Sequence, residues 1–354
     1  MANKFFVSPS PHIHGAQSTQ KIMADVIIAL LPAFCVSVAV YGWGVLALMA
    51  ISIASCVLFE YLIQKFFIKG ECTVGNLSAV VTGLLLAFNL PLGIKWWIVV
   101  IGAFVAIAIA KMTFGGLGKN PFNPALVGRV FLLVAYPAQM TSFPAPTVEG
   151  FVDAYSGATP LAAAKAAAKK FAEHASEVAD KAADAASGAT AATAEAVKDF
   201  DYASVDFTGM LTGAMSGSVG EIATLALLLG FVYLLWQKVI TWHIPVAVLG
   251  TMGVFAFVVA LCKGGDASLL WSFPLFHLLA GGAVLGAVYM ATDYSTSPMT
   301  VRGMVIYGIG IGVITMCIRL WGAYPEGMSF AILIMNSVVP LLNKYVKPKR
   351  FGVK

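Results

Sequence analysis

Ile22-Met23-Ala24-Asp25-Val26-Ile27-Ile28-Ala29-Leu30-Leu31-Pro32-Ala33-Phe34-Cys35-Val36-Ser37-Val38-Ala39-Val40-Tyr41 is an apolar run broken by one charge and one proline. At the helical rise of about 1.5 Å per residue it covers the roughly 30 Å hydrocarbon core of a bilayer. Further apolar runs follow at Val45–Phe67, Thr73–Leu90 and Ile94–Ala110, with a shorter one at Ala125–Tyr136. The short run counts as a fifth span because Pro124 can open a helix and Gly128 and Arg129 can face protein rather than lipid. After a long hydrophilic stretch the pattern resumes at Val219–Trp236, Ile244–Leu261, Trp271–Ala291, Met304–Leu320 and Met328–Leu342.

Composition agrees. With 59% hydrophobic and 11% charged residues and a mean hydropathy of +0.86, the chain has too little polar surface for a soluble globule. The expected fold is an all-α polytopic membrane protein of about ten transmembrane helices in two five-helix halves. The divisions are a polar N-terminal segment (1–21), a first membrane half (22–136), a loop (137–218), a second membrane half (219–342) and a basic tail (343–354).

An odd number of crossings per half makes the second half enter the membrane in the opposite sense. Asn123-Pro124-Ala125-Leu126-Val127-Gly128-Arg129 is echoed by Ser297-Pro298-Met299-Thr300-Val301-Arg302-Gly303, as an inverted repeat would leave, with sites expected where proline-broken segments meet. Orientation follows from the basic residues. Lys4, Lys21, Lys65, Lys69, Lys111, Lys119, Arg129, Lys238, Arg302, Lys344, Lys347, Lys349, Arg350 and Lys354 fall on one side, against Lys95, Lys263 and Arg319 in the opposite short loops. The positive-inside rule puts both termini in the cytoplasm and residues 137–218 outside. Met1–Lys21 is polar and the first apolar run is long enough to span, so no cleavable signal peptide is expected. The loop is acidic on balance, so the net charge of +5 describes the cytoplasmic rim and no nucleic-acid surface.

The five cysteines, Cys35, Cys56, Cys72, Cys262 and Cys317, form no CxxC pair and read as helix-packing residues rather than metal ligands or disulfides. His12 and His14 are the sole histidines close enough in sequence to suggest a ligand pair. Among acidic groups, Asp25 and Glu60 stand at depths where a carboxylate is costly, which marks them as functional candidates. Asp293, at a helix end, is placed to cap or to pair with Arg302.

The loop carries Asp153-Ala154-Tyr155-Ser156-Gly157-Ala158-Thr159-Pro160, and its alanine-rich tract, Leu161–Val197, repeats the pattern as Asp184-Ala185-Ala186-Ser187-Gly188-Ala189-Thr190. A threonine behind Gly-Ala offers a hydroxyl with no bulky neighbour, which suits covalent modification. Asp153 and Ser156 can orient the segment through side-chain to backbone bonds. Thr159 is preferred over Thr190: Pro160 is expected to end local helix and leave Thr159 extended and exposed, whereas Thr190 sits among helix-forming alanines.

Five segments together resemble the RnfD/NqrB family, and RnfD more closely, since the polar N-terminus is short. They are Ser8-Pro9-Ser10-Pro11-His12, Gly118 to Arg129 (GKNPFNPALVGR), the SGAT with Pro160-Leu161, Ala291 to Pro298 (ATDYSTSP), and Ile318 to Gly327 (IRLWGAYPEG). The alanine-rich tract departs from that pattern as an insertion. The resemblance implies FMN in phosphoester linkage to Thr159, within the Asp153, Ser156, Gly157, Ala158 context, attached by a flavin transferase outside the membrane. It also implies a noncovalent riboflavin in the membrane part, with Asn120 and Asn123 as its contacts because amides donate and accept to a flavin edge. Arg319, near Tyr324 and Glu326, is the candidate to neutralise the FMN phosphate; otherwise it is a snorkelling interfacial arginine.

The implied function is a flavin-carrying subunit of an ion-translocating oxidoreductase in the bacterial inner membrane. It would pass electrons between ferredoxin and NAD(H) branches coupled to Na+ or H+ transport. With no nucleotide fingerprint or cluster-binding cysteines here, those reactions fall to partner subunits. On physical grounds alone the five-plus-five design suits a channel or secondary transporter as well, and an assembly scaffold without a cofactor is the third class. Covalent flavin separates the first from the other two.

Overall fold

The computed structural model describes residues 18–69, 73–144, 156–157, 159–170, 200–202, 204–213, 215–222, 224–262, 264 and 267–347. In chain order the helices are α1 (Thr19–Tyr41), α2 (Gly44–Ile68, its last turn π-helical), α3 (Ser78–Phe88), α4 (Trp96–Met112, π-helical from Val105) and α5 (Pro124–Ala135). A single turn α6 (Pro137–Met140), α7 (160–170), α8 (Phe207–Thr212) and α9 (Thr224–Trp236) follow. The rest are α10 (His243–Cys262), α11 (Ala267–Leu279), α12 (Ala283–Met290), α13 (Val301–Trp321) and α14 (Met328–Tyr345). Among the described residues the only strands are β1 (Phe143–Pro144) and β2 (Ser156–Gly157), paired antiparallel.

Every apolar run is helical over most of its length, but the runs are not equal. Helices α1, α2, α10, α13 and α14 are long and apolar enough to cross a membrane, and α11 with α12 makes one more span bent by 60°. Helices α3, α4, α5 and α9 are apolar but shorter, so of ten expected spans five to six reach full length. The shortfalls have local causes. The Thr73–Leu90 run is interrupted where Leu77 takes a left-handed conformation, φ +60°, after a turn at Val74–Asn76. The Trp271–Ala291 run breaks at Gly281, φ +66°, a conformation that glycine adopts without strain. In the Val219–Trp236 run the helix starts only at Thr224. The preceding backbone re-enters the bundle: Gly220 N donates to Phe88 O at 2.8 Å, and Ser37 Oγ donates to Val219 O at 2.6 Å. Irregular backbone in an apolar setting persists only where protein satisfies it in this way.

The outer surface is apolar in helical stripes. On α9, Leu225, Leu229 and Val232 are exposed while Ala226, Leu227, Gly230 and Leu234 are buried. Trp43, Trp96, Trp236, Trp271 and Trp321 are exposed at or near helix ends, where amphipathic rings meet the headgroup region. This is a multi-pass membrane protein. Its helices meet through small residues. A Cβ on Gly308 would lie 2.6 Å from Ala247 Cβ, and one on Gly312 would lie 2.9 Å from Val248 O, so α10 and α13 approach through a small-xxx-small stripe. Helix α2 packs on α3 and α4, α10 on α11 and α13, α1 on α9, and α13 on α14.

Candidate functional site

Among the cavities, two toward opposite ends of the bundle are shaped by the breaks in the helices. The first, about 750 Å³, is bounded by the start of α1, by α3, by the loop before α5, and by the α12–α13 connection, with Lys111, Asn120, Asn123 and Asp293 in its wall. Pro124 occupies the first turn of α5, where its missing N–H is no loss. Asn123 caps that helix, its Oδ1 accepting from Ala125 N at 3.1 Å and Leu126 N at 3.4 Å, while its Nδ2 donates to Met290 O at 3.2 Å. Both ends of that amide are therefore committed to joining α5 to α12. Asn120 differs: its Nδ2 donates to Phe122 O at 3.0 Å, but its buried Oδ1 has no hydrogen-bond partner among the described residues. Asp293 accepts from Ser295 Oγ at 3.0 Å and Thr296 Oγ1 at 3.4 Å and forms no ion pair with Arg302 among the described residues.

The second cavity, about 510 Å³, has Thr159 in its wall together with Arg129, Glu221 and Glu326 among apolar residues including Leu133, Phe143 and Tyr324. Thr159 also borders a smaller cavity of about 330 Å³ with Met210, Gly217 and Glu221. Contrary to the expectation from sequence, Pro160 does not end a helix here. It opens α7, and Thr159 is the cap: its Oγ1 accepts from Ala162 N at 3.2 Å and its carbonyl from Ala163 N at 2.9 Å. The threonine is half-buried rather than exposed. Proline is favoured at the first helical position because its fixed φ is already helical. Helix α7 is tied to the α13–α14 turn by Lys165 Nζ, which donates to Tyr324 O at 2.7 Å. Ser156 and Gly157 contribute backbone to the β1–β2 pair. Asp153, Ala158, Thr190, His12 and His14 lie outside the described residues, as do 171–199 of the alanine-rich tract.

Beneath Thr159 sits a buried ionic cluster. Arg129 donates to Glu326 and to Ser329 Oγ, and reaches Glu221 Oε1 at 3.4 Å. Glu326 Oε1 in turn accepts from Gly282 N at 3.0 Å, fastening the break between α11 and α12. Arg319 is buried too, and is not a snorkelling residue: it donates to His277 O and, at 2.9 Å, to Ala280 O, the carbonyls left open where α11 stops. Sequence reasoning placed Arg129 and Lys111 on the cytoplasmic rim. In the structure both side chains are buried against carboxylates, so neither counts toward orientation. The expectation that Gly128 and Arg129 face protein is met. Glu221 and Lys165 were missed: Glu221, like Glu60, is a carboxylate inside an apolar run, Val219–Trp236, and that was its signal, whereas Lys165 lies in the alanine-rich tract with no signal of its own.

Glu221 and Glu326 stand in connections between helices, and their environments push them apart. Burial, reinforced by the neighbouring Glu326 charge, drives the Glu221 carboxyl up from 4.5 to about 7, whereas Arg129 and Arg319 outweigh burial at Glu326 and hold it below its ordinary value. Between pH 4.5 and about 7 the folded state therefore keeps a proton on Glu221 that the unfolded chain releases. Stability conferred by this group falls as pH rises through that window. Thermal unfolding in detergent should show that decline in the wild type and a flatter profile in Glu221→Gln. The Glu326 contribution is present above 4.5 and is lost only at lower pH, so the two are separable.

The fold and the two cavities define a polytopic helical membrane protein with a polar site toward each end of the bundle. Comparison with known proteins gives the family: residues 6–352 match the NQR2, RnfD, RnfE family, and the chain belongs to it. It is 44% identical over 347 residues to the D subunit of the Na(+)-translocating ferredoxin:NAD(+) oxidoreductase complex of Acetobacterium woodii, covering 98% of this chain and 95% of that protein. It is 38% identical to the D subunit of the proton-translocating ferredoxin:NAD(+) oxidoreductase complex of Clostridium ljungdahlii, over 99% and 97% of the two chains. With the D subunit of the ion-translocating oxidoreductase complex of Escherichia coli O7:K1 it shares 36% identity over 98% of each.

Proposed function

We propose that this chain is the flavin-bearing D subunit of an Rnf-type ion-translocating ferredoxin:NAD oxidoreductase complex. The observation that carries the reading is the setting of Thr159: a hydroxyl at the N-terminus of α7, in the wall of a mostly apolar cavity, above the buried cluster of Arg129 with Glu221 and Glu326. A phosphoester there would place negative charge at a helix N-terminus, where the dipole and free N–H groups favour it. The charges agree as well. Below pH about 7, where Glu221 holds its proton, Arg129 and Arg319 outnumber the one ionised carboxylate, Glu326, and a phosphodiester supplies a further negative charge. Arg129 rather than Arg319 shares the cavity with Thr159 and takes the neutralising role first assigned to Arg319.

The cavity with Asn120 is the site proposed for riboflavin. The unpartnered, buried Asn120 Oδ1 in its wall is an acceptor for a ring N–H. Asn123 shapes the wall and holds α5 against α12. Bound flavins supply one- and two-electron chemistry; the chain supplies two sites at different depths and keeps them apart. The matched packing of α2 on α3 and α4 and of α10 on α11 and α13 supports two inverted halves, with the short helices completing ten partial or full crossings. Both termini are then cytoplasmic and Thr159 lies on the outer side of the bacterial inner membrane. A flavin transferase and the other complex subunits are the implied partners.

Acid precipitation of the protein purified from a transferase-containing host tests the reading. Flavin should divide between the pellet, as covalent FMN, and the supernatant, as riboflavin. Absence of flavin from both fractions would move the assignment to a channel or secondary transporter.

A further inference from the structure

Thr159 is fastened from both sides. Upstream, Ser156 and Gly157 pair with Pro144 and Phe143 across β1–β2. Downstream, α7 is seated on the bundle by Leu161 and Ala164, each 6% exposed. Lys165 Nζ donates to Tyr324 O at 2.7 Å and to Ile318 O at 3.4 Å, where α13 ends. Thr159 Oγ1 itself accepts from Ala162 N at 3.2 Å and stands between two chambers whose shared border is Thr159, Glu221 and Gly281. This setting suits holding a phosphoester better than making one. A transferase must bring the hydroxyl in line with the FMN-side phosphorus of FAD and the oxygen that leaves, with its own residues around the same pyrophosphate. Leu133, Phe143, Leu161 and Tyr324 of this same chain stand around the hydroxyl instead.

We propose that Thr159 is modified while α7 is undocked, and that α7 then closes on the bundle and carries the attached flavin into the chambers; the inference rests on the covalent flavin reading. In the modification step the Thr159 Oγ–P bond forms and the bond from that phosphorus to the AMP half of FAD breaks. AMP leaves, the hydroxyl proton passes to the transferase, and nothing is oxidised or reduced. The helix is built to come away. It is short and alanine-rich, and its one large apolar anchor is Leu161. Helices of this length are marginal in isolation, and elements with few buried apolar contacts open first. The product favours closing. Its phosphate oxygens can accept from the Leu161 and Ala162 N–H groups at the start of α7, where Pro160 has none to offer, and its charge enters the chamber that Arg129 lines. Lys165 is a positioning residue for this closure: it ties α7 to the α13–α14 turn and lines neither chamber.

The test uses the full chain purified from a host without the transferase, then supplied with FAD and purified transferase. The initial rate of flavin attachment is read by in-gel fluorescence, and hydrogen exchange at the Leu161 to Lys165 amides reads the opening of α7 in the same samples. Lys165→Met should raise both rates by the same factor, about three- to tenfold for the loss of its hydrogen bonds. Leu161→Ala should raise both together through the other anchor. In the wild type, attachment of flavin should slow exchange over these amides. If the two variants speed exchange but leave the attachment rate unchanged, the docked threonine is the substrate and the inference is overturned. It is equally overturned if neither variant changes exchange, because these anchors then do not hold α7. Absence of flavin from every form, wild type included, contradicts the covalent flavin reading itself, so the two failures are told apart.

Discussion

Thr159→Ala should eliminate covalent flavin, seen as loss of in-gel flavin fluorescence, while Thr190→Ala leaves it at the wild-type level. The structure makes a sharper version possible, because Thr159 has two jobs. Its Oγ1 caps α7, and losing a cap costs about 1 kcal/mol of local stability. Thr159→Asn keeps a capping oxygen but has no hydroxyl to esterify. It should therefore restore the melting temperature lost in Thr159→Ala without restoring any flavin. Thr159→Ser keeps both functions and should retain fluorescence. Covalent flavin in Thr159→Asn would break the link between this hydroxyl and the cofactor, whatever the effect on folding.

Arg129→Met is expected to be the most destabilising single change near the site. The guanidinium holds Glu221, Glu326 and Ser329 together from α5, and its removal leaves a buried carboxylate charge without its main partner. Breaking such a pair costs about 3–5 kcal/mol, a large part of the roughly 5–15 kcal/mol by which an ordinary protein is stable. The expected result is aggregation on detergent extraction, scored by fluorescence size-exclusion chromatography. Adding Glu326→Gln should recover much of the monodisperse peak, because it removes the stranded charge. Arg129→Lys should be intermediate, since an ammonium keeps the charge but cannot reach several acceptors in the planar fork of arginine. Full stability of Arg129→Met would mean that the cluster is solvated and not part of the core.

The apolar runs were legible because hydrophobicity over a window of spanning length reports burial in an apolar medium directly. The breaks were not. Nothing local distinguishes Val219–Glu221, whose backbone is satisfied by Phe88, Leu90 and Ser37, from the start of a helix. Hydropathy does not register which distant carbonyl meets an N–H. The charges divide the same way. Glu60 stood out as a carboxylate inside an apolar run, but Lys111, at the end of one, read as an ordinary rim lysine until α2 brought Glu60 to it. Pro160 was misread for a related reason: a proline ends the helix before it and begins the one after it, and only the following residues decide which applies. Asn123 and Asn120 looked equivalent in GKNPFNP, yet one amide is fully used and the other is half free. That difference depends on where α12 ends.

A flavin esterified to Thr159 is tested most directly by peptide mass mapping of the wild-type protein from a host with an active flavin transferase. Trypsin separates the two SGAT copies, because Lys165, Lys169, Lys170 and Lys181 lie between Thr159 and Thr190. The expected result is an FMN phosphoester on the peptide spanning 130–165 and an unmodified peptide spanning 182–198. FMN on the second peptide alone, or on neither, would contradict it.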